Sequence, residues 1–287
     1  MKIGKILLFL ISLILFACEK DDESILGKSP SILYLDNNGV TIKAHPSAQV
    51  GNSGSVNGVI FTVVDSLILR TMIVNGTDIS KVCVSKITNM GNMFSDADTF
   101  NQDISSWDVS NVTSMNSMFY KAKAFNQSIS SWDVSNVMEM SNMFIQARVF
   151  NQDISSWDVS SVANMTRMFG GARGFNQDIS SWDVSNVTSM RQLFSAAFNF
   201  NQDISSWDVS NVTNMSSMFF QAIAFNQDIS SWDISNVTNM NSMFYLEEAF
   251  NQDLSGWNVN NVTICNNVFY QTTSWTLPKP IFTNCTP

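Results

Sequence analysis

Histidine occurs once in the 287 residues, at position 45. A Ser/His/Asp or Cys/His arrangement would need that one imidazole beside its nucleophile, and no motif marks a nucleophile near it. Basic residues are also scarce. There are 15 Lys and Arg against 24 Asp and Glu, for a formal net charge of −9. Lys2 and Lys5 fall in an N-terminal leader, and without them the balance moves to −11 (13 basic against 24 acidic). A nucleic-acid partner needs a basic face, so that class is excluded. The chain has no Walker or dinucleotide-binding glycine pattern, no CxxC-type spacing among its four cysteines, and hence no residues that mark a cofactor or metal site. An enzyme is not expected.

Long apolar runs are missing too. The longest, Ile6–Phe16, is too short for a comfortable transmembrane helix and follows the positive residues Lys2 and Lys5. Residues 1–17 therefore read as a signal peptide. Leu15-Phe16-Ala17-Cys18 resembles a bacterial lipobox. That resemblance implies that Cys18 is diacylated, with palmitate among the acyl chains, and becomes the mature N-terminus. Two chains suffice for stable anchoring. Glu19-Lys20-Asp21-Asp22-Glu23 resembles the surface-export signal of Bacteroidetes lipoproteins. The implied location is the outer membrane, lipid-anchored and facing the exterior. Residues 18–31 read as a polar tether.

Residues 32–75 read as a small β-rich N-terminal cap. Ile32–Leu35 and Val40–Lys43 are strand-like runs around the turn signal Asn37-Asn38-Gly39. Gly51–Gly58 reads as a loop and Val59–Val64 as a strand. Asp65 or Ser66 can cap a helix over Leu67–Val74.

What dominates the chain is repetition. Trp107, Trp132, Trp157, Trp182, Trp207, Trp232 and Trp257 follow one another at intervals of 25 residues. Such a period is the mark of stacked units, each too small to bury its own apolar face. The frame gives eight units over 76–275, the first degenerate with Val82 in the Trp position, and a tail over 276–287. In the second unit the apolar positions are Ile104, Trp107, Val109, Val112, Met115, Met118, Phe119, Ala122 and Phe125. Trp107 and Val109 alternate as in a strand. Val112, Met115, Phe119 and Ala122 follow at helical intervals. The expected fold is an α/β repeat solenoid with one short strand and one short helix or 3-10 turn per unit. Columns of Asp and Asn, for example Asp153, Asp178 and Asp203, or Asn186, Asn211 and Asn236, are expected to satisfy turn amides. A calcium ladder is the other reading, against which stands the missing glycine-rich calcium-roll pattern.

Asp-Ile-Ser-Ser-Trp-Asp-Val-Ser-Asn-Val-Thr-Asn-Met-Ser-Ser-Met-Phe, at 203–219, resembles the leucine-rich-repeat-like units of BspA-type bacterial surface proteins and a related surface-protein repeat of unknown function noted in mycoplasmas. Leucine itself is nearly absent from the repeated positions. The resemblance implies extracellular recognition or adhesion through a protein or polysaccharide. A structural surface-layer or spacer role without a specific ligand is the alternative. The units differ mainly after the first Phe, where Tyr120, Lys121, Lys123, Arg148 and Arg173 form a candidate ligand face, joined by Arg167 and Arg191 on the expected helix exterior. Cys265 stands where other units have Met. It reads either as a buried apolar residue or as half of a disulfide with Cys285 that pins the tail.

Overall fold

The computed structural model describes residues 31–287. The leader, Cys18 and most of the tether lie outside the described residues. Residues 32–287 form one compact unit.

The first part of that unit carries all of its regular secondary structure. Strands β1 (Leu33–Leu35) and β2 (Ile42–Ala44) pair antiparallel across the Asn37-Asn38-Gly39 turn. Gly39 sits at φ 72°, the left-handed conformation that glycine adopts without steric cost. Strand β3 (Ser53–Val56) pairs antiparallel with β4 (Val59–Val63). Here the expected loop over 51–58 is replaced by a strand and a tight turn. Ser53, Gly54 and Ser55 are poor strand formers, but they are held by the partner strand β4. Helix α1 (Ser66–Val74) begins at Asp65, whose carboxylate accepts the Ile68 N–H. Strand β5 (Val82–Cys83) lies in the degenerate first coil and pairs parallel with β4. Ile42 also bridges to Trp107, donating its N–H to the Ser106 carbonyl at 2.8 Å. The cap is thereby hydrogen-bonded to the first two coils.

From residue 84 onward the chain runs in coils stacked with a 25-residue offset. One parallel bridge per coil links Asn89 to Ser114, Ser114 to Glu139, and so on to Ile264. The expected helix or 3-10 turn is not formed, and no strand longer than the bridged position is present in these coils. The amide groups explain why. In coil 101–125, Met115, Ser117, Phe119 and Lys121 donate their N–H groups to Glu139, Ser141, Met143 and Ile145 of the next coil. The residues between them, Met118, Tyr120 and Ala122, donate to carbonyls three residues back in their own coil. A helix would consume every amide internally and leave none for stacking. Alternate donation instead requires a left-handed residue every fourth position. Ser117 and Lys121 have φ of 55° and 56°. The same two positions are left-handed in each of the other coils, as at Asn142 and Gln146 or Ser242 and Leu246. Helical apolar spacing survives because each four-residue turn advances the chain by about one helical turn's worth of sequence.

Side chains add a second set of inter-coil bonds. Asn101 Oδ1 accepts the Asn126 N–H, Asn126 accepts that of Asn151, and the series continues through Asn151, Asn176, Asn201 and Asn226 to Asn251, which accepts Thr276. Asn136, Asn186, Asn211, Asn236 and Asn261 donate to a serine carbonyl 26 residues earlier. The tryptophans, read as apolar, also donate. From Trp132 to Trp257, each indole N–H in the repeated Trp position meets an Ile carbonyl of the preceding coil at 3.0–3.1 Å. The Asp columns act within a coil: Asp153 and Asp158 accept the N–H groups of Ser155 and Ser160. Those bonds hold both carboxyls below their ordinary range.

The interior is a pile of aromatic rings. In each inner coil the two phenylalanines stack at about 4 Å, as Phe119 and Phe125 do at 4.0 Å. Each also stacks on its counterpart in the next coil, Phe119 on Phe144 at 5.5 Å and Phe150 on Phe175 at 6.1 Å. Nearly all of these residues are fully buried, so each large side chain contributes about 1.5–3 kcal/mol. The pile ends at Trp275, which meets Phe244 and Phe250 edge-on. Cys265 and Cys285 are joined by a disulfide, tying the tail to the last coil, and Cys265 is at the same time buried. Cys83 is a free, buried thiol.

One coil breaks the pattern. Glu247 occupies the position of the buried alanines Ala122, Ala147, Ala172, Ala197 and Ala222, and it is itself fully buried. One carboxyl oxygen accepts the Phe250 N–H, a bond made elsewhere by a backbone carbonyl, as by Ala222 for Phe225. The other oxygen has no partner. Burial pushes the carboxyl up to about 8.

Two predictions follow from this architecture. Ser217 has φ 54°. A left-handed residue costs about 1–2 kcal/mol unless it is glycine, of which about 0.5–1 kcal/mol returns as glycine's extra chain entropy. Ser217→Gly is expected to raise the chemical-denaturation midpoint slightly and Ser217→Val to lower it; equal midpoints would contradict the assigned backbone. For Glu247, the folded chain keeps its proton between about pH 4.3 and the raised value while the unfolded chain has lost it. The Glu247 contribution to stability is therefore full below about pH 4 and falls as pH rises through that window, levelling above pH of about 8. Melting temperatures of the wild type should show that decline, and Glu247→Ala should flatten it while stabilising the chain above pH 8 by about 1–3 kcal/mol. An unchanged pH profile in the variant would refute the assignment.

Candidate functional site

Coil-to-coil differences gather on the turn that follows the first Phe of each coil. Position for position, this turn carries Tyr120, Ile145, Gly170, Ser195, Phe220, Tyr245 and Tyr270 along the stack. The next position, always left-handed, carries Lys121, Gln146, Gly171, Ala196, Gln221, Leu246 and Gln271. Two positions further on are Lys123, Arg148, Arg173, Phe198, Ile223, Glu248 and Thr273. The backbone under these side chains is the same throughout. At Gly170 and Gly171 it is fully engaged: the Gly170 carbonyl accepts the Gln146 N–H and the Gly171 N–H reaches the Ser195 carbonyl, both at 2.7 Å.

Because the backbone is constant, the side chains alone shape the surface. Glycine at both 170 and 171 removes two side chains in one coil and leaves a hollow of about 320 Å³. Tyr120 and Ile145 form an apolar wall, Gln146 and Ser195 add polar edges, and Arg167 and Gln192 lie on the remaining side. No carboxylate lines it. Arg167 is half-buried and left-handed, with φ 59°. Its Nε–H donates to Gln192 Oε1 at 2.6 Å, leaving four guanidinium N–H donors without a protein partner among the described residues.

The seven candidate residues divide into three groups. Tyr120 and Arg167 meet at the hollow. Lys121 and Lys123 are already paired, with Asp96 at 3.2 Å and Asp98 at 2.6 Å. Lys121 also lies 4.8 Å from the centre of the Tyr120 ring. Hydrogen bonds to Tyr120 and Asp96 hold its ammonium above the ordinary lysine range. Arg148 and Arg191 are exposed, and the Arg173 guanidinium lies over Phe198 at 4.8 Å. Arg167 and Arg191, expected on a helix exterior, stand on turns instead, for the amide reason given above. The importance of Gly170, Gly171 and Gln192 was missed in the sequence because a gap carries no chemistry of its own. Its signal was that only coil 151–175 puts glycine in those columns.

Two other surfaces stand out on the stack. Beyond Ser195 the column turns aromatic: Phe220 stacks on Tyr245 at 4.9 Å and Tyr245 on Tyr270 at 4.8 Å, close to the spacing of paired strands. A larger hollow of about 550 Å³ lies where the cap meets the coils. Its two lysines are already committed, Lys43 to Asp36 at 3.1 Å and Lys86 to the Pro46 carbonyl at 3.0 Å. Among the described residues no group of three or more His, Cys, Asp or Glu is placed to hold a metal ion, and no helix is long and apolar enough to cross a membrane.

Stacked, near-identical coils whose turns vary over a constant frame define a repeat protein. The chain belongs to the family described as Mycoplasma protein of unknown function, DUF285, whose model matches residues 65–182 and again 164–279. The two matches together span the helix of the cap and the coils. No curated protein and no solved structure matches the chain.

Proposed function

We propose that this is a lipid-anchored repeat protein, displayed on the outer surface of the cell, that acts as a recognition or adhesion module for an extracellular protein or glycan. In this reading the stacked coils are a leucine-rich-repeat-like solenoid of the BspA type, in which Ile, Trp, Val, Met and Phe take the place of leucine. Display and anchoring rest on the leader, on Cys18 and on the acidic segment behind it. The observation that carries recognition is that exposed turn positions vary from coil to coil, with a hollow and uncommitted cations among them, while the buried frame repeats. A protein shaped only by the needs of stacking has no reason to vary on its exposed turns and gather basic groups there against a net charge of −9. No catalytic role is proposed.

The spacer reading draws on a different observation. The Ser and Asp columns on the remaining turns are nearly uniform and their oxygens are spent on coil-internal and inter-coil bonds. A purely structural rod needs nothing more.

The two readings separate experimentally. Intact cells treated with an impermeant protease are expected to lose the protein, and full protection would rule out display. On a glycan and host-protein array, the recognition reading expects saturable binding that drops by at least about tenfold, 1.4 kcal/mol, in the Lys121→Ala/Arg148→Ala/Arg173→Ala variant. Binding to nothing on the array would favour the spacer.

A further inference from the structure

We propose that the hollow over Gly170 and Gly171 is a binding site for a carboxylate-bearing pyranose, the acidic sugar of a uronate-type glycan. This inference rests on the recognition reading and specifies its ligand and its address.

Three departures from the repeated pattern coincide there. The column that holds Tyr120, Ile145, Ser195 and Phe220 drops to glycine in one coil. The left-handed column beside it drops to glycine in the same coil. Four residues before Gly171, the other left-handed column, which is otherwise Asn, Ser or Gln, holds arginine at 167. A Cβ on Gly170 would meet the Arg167 carbonyl, Ile145 and the Arg167 Cβ at 3.4–3.7 Å, ordinary contact distances, so the fold itself does not require glycine there. What glycine provides is room. Its volume of about 320 Å³ lies at the lower end of small-molecule sites.

The lining chemistry then selects the ligand. A guanidinium with free terminal amino groups binds a carboxylate through two parallel bonds, a geometry that an ammonium does not offer. Gln192 holds the Nε side of Arg167 at 2.6 Å, so the fork is oriented before a ligand arrives. The Tyr120 ring and Ile145 offer an apolar wall suited to the C–H face of a sugar, and Gln146 and Ser195 offer amide and hydroxyl partners for its hydroxyls. The absence of a lining carboxylate removes the usual competitor for the arginine. Arg148 and Arg173, two columns over, add positive potential that draws an anionic chain to this face. A free carboxylic acid shares the charge with the proposed ligand but lacks the ring, and a neutral sugar shares the ring but lacks the charge.

The test is calorimetric titration of the full chain in detergent with trigalacturonate, with galactotriose as the neutral ring and citrate as the charge without a ring. Trigalacturonate is expected to bind at least about tenfold more tightly than either control, 1.4 kcal/mol. Arg167→Gln and Gly170→Tyr should each remove that binding. Both variants place a residue that other coils already carry in the same column, Gln192 for the first and Tyr120 or Tyr245 for the second, so their melting temperatures should match the wild type. Lys81→Gln, exposed in the first coil, should bind as the wild type does. Citrate binding as well as trigalacturonate, equal binding of galactotriose, no binding of trigalacturonate at millimolar concentration, or full binding by Gly170→Tyr would each overturn the site. A Gly170→Tyr protein that still captures an array ligand would overturn the site while leaving the recognition reading intact. An array blank with both proteins would overturn both.

Discussion

The structure depends on how each coil divides its backbone amides. On the bridged side, every second N–H points out of the coil to the next one and every other N–H closes a turn inside it. This division forbids a helix, forces a left-handed residue at every fourth position, and fixes the stacking offset at 25 residues. Once the offset is fixed, each side chain must rest on its own counterpart. Near-identity of the repeats then follows from packing: a phenylalanine stacks on a phenylalanine, and an asparagine accepts the amide of the next asparagine. A coil in isolation leaves half of its turn amides and one side of its ring pile in water, so stability resides in interfaces between coils.

Much of this was legible in the sequence. The tryptophan period set the frame, and the alternation of apolar and polar residues picked out the positions that are buried, from Ile104 through Phe125. Asp65 signalled the start of helix α1, and Asn37-Asn38-Gly39 the hairpin of β1 and β2. The backbone of the turn segment was not legible. Left-handed positions are normally announced by glycine or asparagine, whereas here they hold Ser117, Lys121, Gln146, Arg167 and Leu246, which read as ordinary helix formers. Apolar spacing at Val112, Met115, Phe119 and Ala122 was the same for both conformations, so periodicity could not distinguish them. Strand β3 was hidden for the converse reason, since Ser53-Gly54-Ser55 reads as a loop and is extended only because β4 pairs with it.

The candidate site was legible in part. Basic and aromatic residues that vary between coils pointed to the turn face that holds the hollow, yet pairing with Asp96 and Asp98 removes Lys121 and Lys123 from the set of free cations. The hollow came from two missing side chains and could be seen only once the columns were stacked in space. The repeated letters that first draw the eye build the frame. Recognition, in the reading proposed, belongs to the coil that drops to glycine on its turn, 151–175. The same rule of departure marks Glu247, where a carboxyl replaces a buried alanine and couples that end of the stack to pH.

The central claim is that the 25-residue offset, and not any particular coil, is what the fold requires. Deleting residues 201–225 removes one whole coil and brings Phe200 up to Asn226, restoring the sequence of an ordinary junction. That protein is expected to unfold in one cooperative transition, with near-ultraviolet dichroism of the native type and a denaturant slope lower by roughly a tenth, in proportion to the surface removed. Deleting residues 201–212 removes half a coil, shifts every column behind it, and is expected to abolish the transition. If the two deletions behave alike, both folded or both unfolded, the coils are not held by the offset and the account fails.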